Sequence, residues 1–242
     1  MPTHSGPDDR RDTSRVETVK KIKAIALRMI TDGGTDAVSL RAIARAMGVT
    51  TATIYDYYSS KEVLLSALVD DVYASLVATL EAARDTEPHD DVAGRILSWA
   101  DAFREWAIKN PHSFRLIYGD SARRHQQGPS CAAATAERRI CADLTDLATA
   151  AWSRAEKSQS IEIHNWSDFD PGLADDIKAA HPDTPAAVAA VALRMWGRMH
   201  GLVALEVSGN LRAQTAKPAK LYRVEMLDLI TSLGLRPGHN PN

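Results

Sequence analysis

Cysteine is almost absent: Cys131 and Cys141 are the only two in 242 residues. They fall in what reads as one helix, about 15 Å of rise apart, too far for a bridge within that helix. A disulfide-stapled fold is excluded, and reduced thiols, buried or idle, are the expected state. Long apolar runs are missing too. The longest, Ala186 to Leu193, is far short of the roughly 20 residues that a bilayer-spanning helix needs, and no signal peptide is visible. The expectation is a cytoplasmic protein with no membrane partner. Charge of neither sign dominates, since the formal net charge is -2, which excludes bulk coating of nucleic acid by a polybasic surface. Strand alternation of useful length and repeats of fixed period are lacking, so the fold class is all-α. The eight histidines are scattered and no Cys/His/Asp/Glu cluster has ligand spacing. No metal and no cofactor are expected. Catalysis has no support, for there is no nucleophile elbow, phosphate-cradling glycine loop, zincin helix or convincing acidic pair.

The informative stretch runs from Ser39 to Glu62, SLRAIARAMGVTTATIYDYYSSKE. Leu40, Ile43, Ala44 and Met47 give one apolar face of a two-turn helix, with Ser39 at its N-cap and Gly48 placed to end it. A second short helix opens on Thr50 or Thr51, with Ile54 and Tyr58 on its inner side, and Ser60 can cap the next helix from Lys61. Two short helices joined by a glycine turn, with small Ala44 at their crossing, describe a helix-turn-helix. Thr50, Thr51 and Thr53 offer short hydroxyls to base edges, while Tyr55, Tyr57 and Lys61 suit phosphates. Ser39 and Arg41, at the start of the first helix, complete the candidate DNA-binding set. Up to residue 65 there are ten Lys/Arg against eight Asp/Glu, and beyond it nineteen against twenty-three, so the slight basic excess lies on the DNA side.

The run Ile54 to Leu64, IYDYYSSKEVL, resembles the LYxHFxSKExL signature that closes the DNA-binding domain of TetR-type (tetracycline-repressor-like) transcriptional regulators. The resemblance covers roughly residues 15 to 65. It departs at Tyr57, where His is frequent, and at Tyr58, where Phe is usual, so the Tyr58 hydroxyl needs a partner. Further on, Trp196-Gly197-Arg198-Met199-His200-Gly201 looks like the W-x-x-x-H-G element of a subgroup of these regulators, whose C-terminal domains dimerise and hold an effector.

The organisation expected is a disordered arm over 1–13, a helix-turn-helix domain over 14–62, a helical dimerisation and ligand-binding domain over 63–235, and a disordered tail over 236–242. The first helix begins at Ser14, carries Ile22, Ile25, Ala26 and Met29, and ends at Gly33-Gly34. Its Lys20, Lys21 and Lys23 suit phosphate contact or a solvated face equally. A stiff helix from Lys61 to about Ala83 joins the domains, so a tilt would move the reading head as a unit. Helices follow from about Asp91 to Lys109, from Asn110-Pro111, and from Cys131 to Glu156. Gly119 to Ser130 reads as a loop. Lys157 to Gly172 reads as an irregular segment whose Ile161, Ile163, Trp166 and Phe169 fold over the core. Thr184-Pro185 opens a helix to about Gly209, apolar on all sides in its first half, and Ala219 to Leu233 forms the last.

Trp99, Phe103, Trp106, Phe114, Tyr118, Met195, Met199 and His200 are the candidate effector pocket, suited to an apolar or aromatic small molecule. The same residues also suit a plain core, and His200 either a satisfied core histidine or a ligand contact. The function expected is a ligand-responsive regulator, a repressor, binding a palindromic double-stranded operator as a homodimer. The alternative is an all-α small-molecule binding or catalytic protein whose helix-turn-helix only packs.

Overall fold

The computed structural model describes residues 7–119, 131–155 and 164–236. Ten α-helices and two single 3-10 turns account for their regular structure, with no strand among the described residues. The chain divides into two compact units, Met1–Val72 with His112–Ala133 and Tyr73–Pro111 with Ala134–Asn242. The division therefore falls inside a helix rather than at residue 62.

In the first unit, α1 is Pro7–Gly33, α2 Leu40–Met47 and α3 Thr51–Tyr55. Helix α1 starts at Pro7, not at Ser14, so only residues 1–6 of the expected arm lie outside the described residues. The signal was local: Pro at the first helical position followed by Asp8 and Asp9 is a helix start. Ile22 and Ala26 of α1, Ile43 and Ala44 of α2 and Ile54 of α3 are almost wholly buried. Each such isoleucine contributes about 1.5–3 kcal/mol. Gly34 (φ 72°) follows α1 and turns the chain toward a 3-10 turn at Thr35–Ala37. Helix α4, Lys61–Arg84, begins in this unit and runs unbroken into the second. By length and composition α4 is apolar enough to cross a membrane. Its Leu64, Leu65, Leu68, Leu76 and Leu80 are nevertheless core residues.

The second unit contains α5 (Val92–Lys109), α7 (Cys131–Ala155, from Ala134 on), α8 (Pro171–Ala180), α9 (Ala187–Val207) and α10 (Pro218–Ser232). Helix α6, Pro111–Tyr118, belongs to the first unit from His112 on. Helices α5, α9 and α10 pack pairwise around Trp99, Phe103, Met195, Met199 and Tyr222. The Tyr222 hydroxyl donates to the Ala100 carbonyl at 2.8 Å, which satisfies a polar group that would otherwise be buried alone. The second half of α4 is tied to α7 by Tyr73 to Glu137, Arg139 to Glu81 and Arg84 to Asp143.

Three expectations change here. Helix α8 begins inside the segment read as irregular up to Gly172, where Asp170 caps it by accepting from Gly172 and Leu173 N–H, with Pro171 at its first position. Helix α9 starts at Ala187 because Pro185 and Ala186 form a tight turn, their carbonyls accepting from Val188 and Ala189. Trp166 and Phe169 are half-buried and pack on each other (6.4 Å between ring centres) rather than closing the core. Trp166 lies instead under Lys178 (5.0 Å). Ile161, Ile163 and most of the 119–130 segment lie outside the described residues.

Candidate nucleic-acid interface

The helix-turn-helix is held by its caps. Ser39 accepts from Ala42 N–H at 3.4 Å and Gly48 adopts φ 69°, ψ 29°, the left-handed conformation that glycine takes without a Cβ penalty. Thr50 accepts from Thr53 N–H at 3.3 Å, and the two threonine hydroxyls lie 2.9 Å apart. Ser60 accepts from Val63 N–H at 3.3 Å. Each cap satisfies an N–H that the first helical turn leaves without a partner.

This sorts the candidate residues by what the fold already asks of them. Ser39, Thr50 and Thr53 have engaged hydroxyls. Thr51, Arg41 and Tyr55 make no side-chain hydrogen bond or ion pair among the described residues, and Tyr55 is 49% exposed. Tyr57 is half-buried at the end of α3, fixed by its N–H to the Ile54 carbonyl at 3.0 Å. Lys61 Nζ reaches the Asp36 carbonyl at 3.5 Å. Of the α1 lysines, Lys23 is taken by α4, donating to Asp71 and to the Ala67 carbonyl (3.3 Å), whereas Lys20 and Lys21 are exposed. The Tyr58 ring is buried as expected, but its hydroxyl finds no hydrogen bond among the described residues. Burial first, and the Asp71 charge second, push its phenol upward.

Residues 22–68 match the family described as bacterial regulatory proteins, tetR family, and residues 96–229, more than half the chain, match the tetracyclin repressor-like C-terminal domain. The chain belongs to the TetR family. The HTH-type transcriptional regulator Rv1816 of Mycobacterium tuberculosis is 35% identical over 139 residues, 57% of this chain and 59% of that protein. The match thus spans less than two thirds of that relative. The HTH-type transcriptional repressor KstR2 of Mycolicibacterium smegmatis is 27% identical over 124 residues, 50% of this chain and 54% of that one. The crystal structure of the regulatory protein SCO4313 superposes with a TM-score of 0.68 at 26% identity, covering 91% of this chain and 98% of the other. Relatives of this TetR-family chain are named as transcriptional regulators.

In the second unit of this TetR-family chain, Trp99, Phe103, Trp196 and His200 form one aromatic cluster. Phe103 lies 5.1 Å from Trp196 and 5.9 Å from Trp99, and Trp196 lies 5.0 Å from His200. Met195 and Met199 are fully buried beside them on α9. Burial holds the His200 imidazole below its usual pKa, so the neutral form is favoured. Trp106 belongs to the same unit and donates to the Ser75 hydroxyl at 3.3 Å. Phe114 and Tyr118 pair at 5.1 Å but belong to the first unit.

Two features escaped sequence reasoning. A cavity of about 490 Å³ opens between α7 and α8, with Cys141, Asp146, Leu173, Asp176, Ile177 and His181 in its lining. Burial, then the Glu137 and Asp176 charges, raise the Cys141 thiol above its ordinary pKa, the opposite of what a thiolate sensor needs. The other is Arg15, whose guanidinium sits over the Tyr57 ring at 5.4 Å. No motif pairs residues so far apart in sequence.

Proposed function

We propose that the chain is a cytoplasmic repressor that binds a palindromic operator as a homodimer and releases it when an apolar or aromatic small molecule binds the second unit. The observation that carries the DNA half is the set Thr51, Arg41 and Tyr55, presented by capped helices and not used by the fold. Thr51 reads a base edge, and Tyr55, Tyr57 and Lys61 contact phosphates. Thr50 and Thr53, occupied with each other, position Thr51 more than they read. Repression agrees with the name of the related KstR2.

The homodimer reading rests on one face of α9. Leu193, Gly197, Gly201 and Leu205 follow one another at every fourth residue, all exposed, with Leu193 and Leu205 at 50% and 41%. Leu221 and Val224 of α10 are exposed as well. The two glycines leave open space where side chains would stand, so a second copy's helix can approach closely. Such a pair from each protomer makes a four-helix bundle.

The effector reading rests on the cluster of Trp99, Phe103, Met195, Met199 and His200, which a flat apolar molecule can enter by displacing methionine side chains. An effector shifts operator affinity only by its differential affinity for the two states. The test is a mobility shift on the DNA flanking its own gene, with and without a ligand found by thermal-shift screening. A saturating ligand that leaves operator affinity unchanged sinks the effector half alone, whereas failure to shift any DNA at low salt sinks the whole.

A further inference from the structure

The inner stripe of α1, marked by Ile22 and Ala26, extends seven residues N-terminal to Arg15, which stands on the same helix face. There Arg15 reaches the end of the reading helix. Its guanidinium carbon lies 5.4 Å from the centre of the Tyr57 ring. Arg15 is exposed and makes no hydrogen bond or ion pair among the described residues. An arginine stacked on an aromatic face keeps the edge of its planar fork outward, and that edge matches the paired oxygens of a phosphodiester. A stack on one ring returns little to the fold for the rotamer freedom it takes away. The Tyr57 hydroxyl, at the rim of the same ring, also has no partner among the described residues.

We propose that Arg15 is a phosphate-binding residue of the reading head, positioned by the Tyr57 ring, so that α1 takes part in the DNA footprint. The inference rests on the DNA-binding reading above. Tyr57 supplies two separate things: a ring that orients the guanidinium and a hydroxyl that donates to phosphate. Because the contact is to backbone, it carries affinity and salt dependence but no sequence preference.

The experiment measures binding of the full chain, across a salt series, to a short random-sequence duplex and to the DNA flanking its own gene. Arg15→Ala weakens both roughly fivefold and flattens the salt slope by about one unit, with unchanged helical content and thermal midpoint. Arg15→Lys keeps the slope but binds more weakly, since an ammonium lacks the fork. Tyr57→Phe retains the effect of Arg15, while Tyr57→Leu makes Arg15→Ala nearly silent. An Arg15→Ala chain with the native slope overturns the proposal, as does Arg15→Ala adding in full to Tyr57→Leu. If the native chain binds neither duplex even at low salt, the DNA-binding reading itself has failed.

Discussion

Arg104 grips Glu206 with two hydrogen bonds, Nε to Oε2 at 2.9 Å and Nη2 to Oε1 at 2.6 Å, joining α5 to α9. The side chains are only 17% and 15% exposed, so either charge alone is poorly solvated. Glu206→Ala is expected to destabilise the second unit by about 2–4 kcal/mol. The double replacement Arg104→Met with Glu206→Met costs less than Glu206→Ala alone, because no charge is left unpaired. Urea unfolding of the two variants beside the native chain decides this; equal losses would show that the pair adds nothing beyond its surroundings.

Gly48 closes α2 in the left-handed region, and a Cβ built there meets nothing within 4 Å. Gly48→Ala therefore costs only the backbone penalty, about 1–2 kcal/mol. Gly48→Asn costs less, since asparagine tolerates that conformation. Thermal unfolding of the two variants should rank them in this order, and a reversed order would mean that space rather than φ sets the cost.

How much of this was legible in the sequence depends on distance along the chain. Ser39, Gly48, Thr50, Ser60 and Asp91 act within a few residues of themselves, and the helix ends they set were readable from residue type alone. The start at Pro7 and the helix after Asp170 obey the same local rules and were legible too. They were missed because polar neighbours masked them. Arg104 and Glu206 are 102 residues apart, and neither side chain names its partner. For the same reason the Arg15 stack and the α7–α8 cavity exist only once the helices are placed.

The two kinds of DNA contact separate by substitution. Thr51→Ala should alter preference at one base pair by roughly 1–3 kcal/mol and leave the salt slope alone. Lys61→Ala should weaken all sequences alike and flatten the slope by about one unit. Binding titrations on a panel of single-base operator variants check both, and a crossed pattern would reverse the assigned roles.

His200 sets a pH dependence with a definite sign. Burial holds its folded pKa below the unfolded value, so below about pH 6.5 the unfolded chain binds a proton that the folded chain resists. This contribution to stability is present at neutral pH and lost as the pH falls toward the folded pKa. Thermal midpoints should drop between pH 7.5 and 5, and His200→Phe should lessen the drop. An equal drop in that variant would place its origin elsewhere.

Gly197 and Gly201 pull in two directions. Within one chain, alanine at either position meets no neighbour and should stabilise α9 by about 1 kcal/mol through helix propensity alone. Across a close helix pair the same methyl groups force the backbones apart. The variant with both glycines replaced by alanine should therefore melt higher as a monomer yet dissociate at higher concentration by sedimentation. Tighter self-association would remove α9 from the interface.

The division between the two units lies at Val72 and Tyr73, in the middle of α4, with Leu64 and Leu68 buried on one side of it and Leu76 and Leu80 on the other. A join of this kind is a keyed shaft. Each inserted residue turns the leucine stripe of α4 by about 100° across that point, while the leucines on either side go on packing within their own unit. Because α4 is unbroken there and Val72 and Tyr73 are buried, a protease finds no exposed tether to cut between the two units.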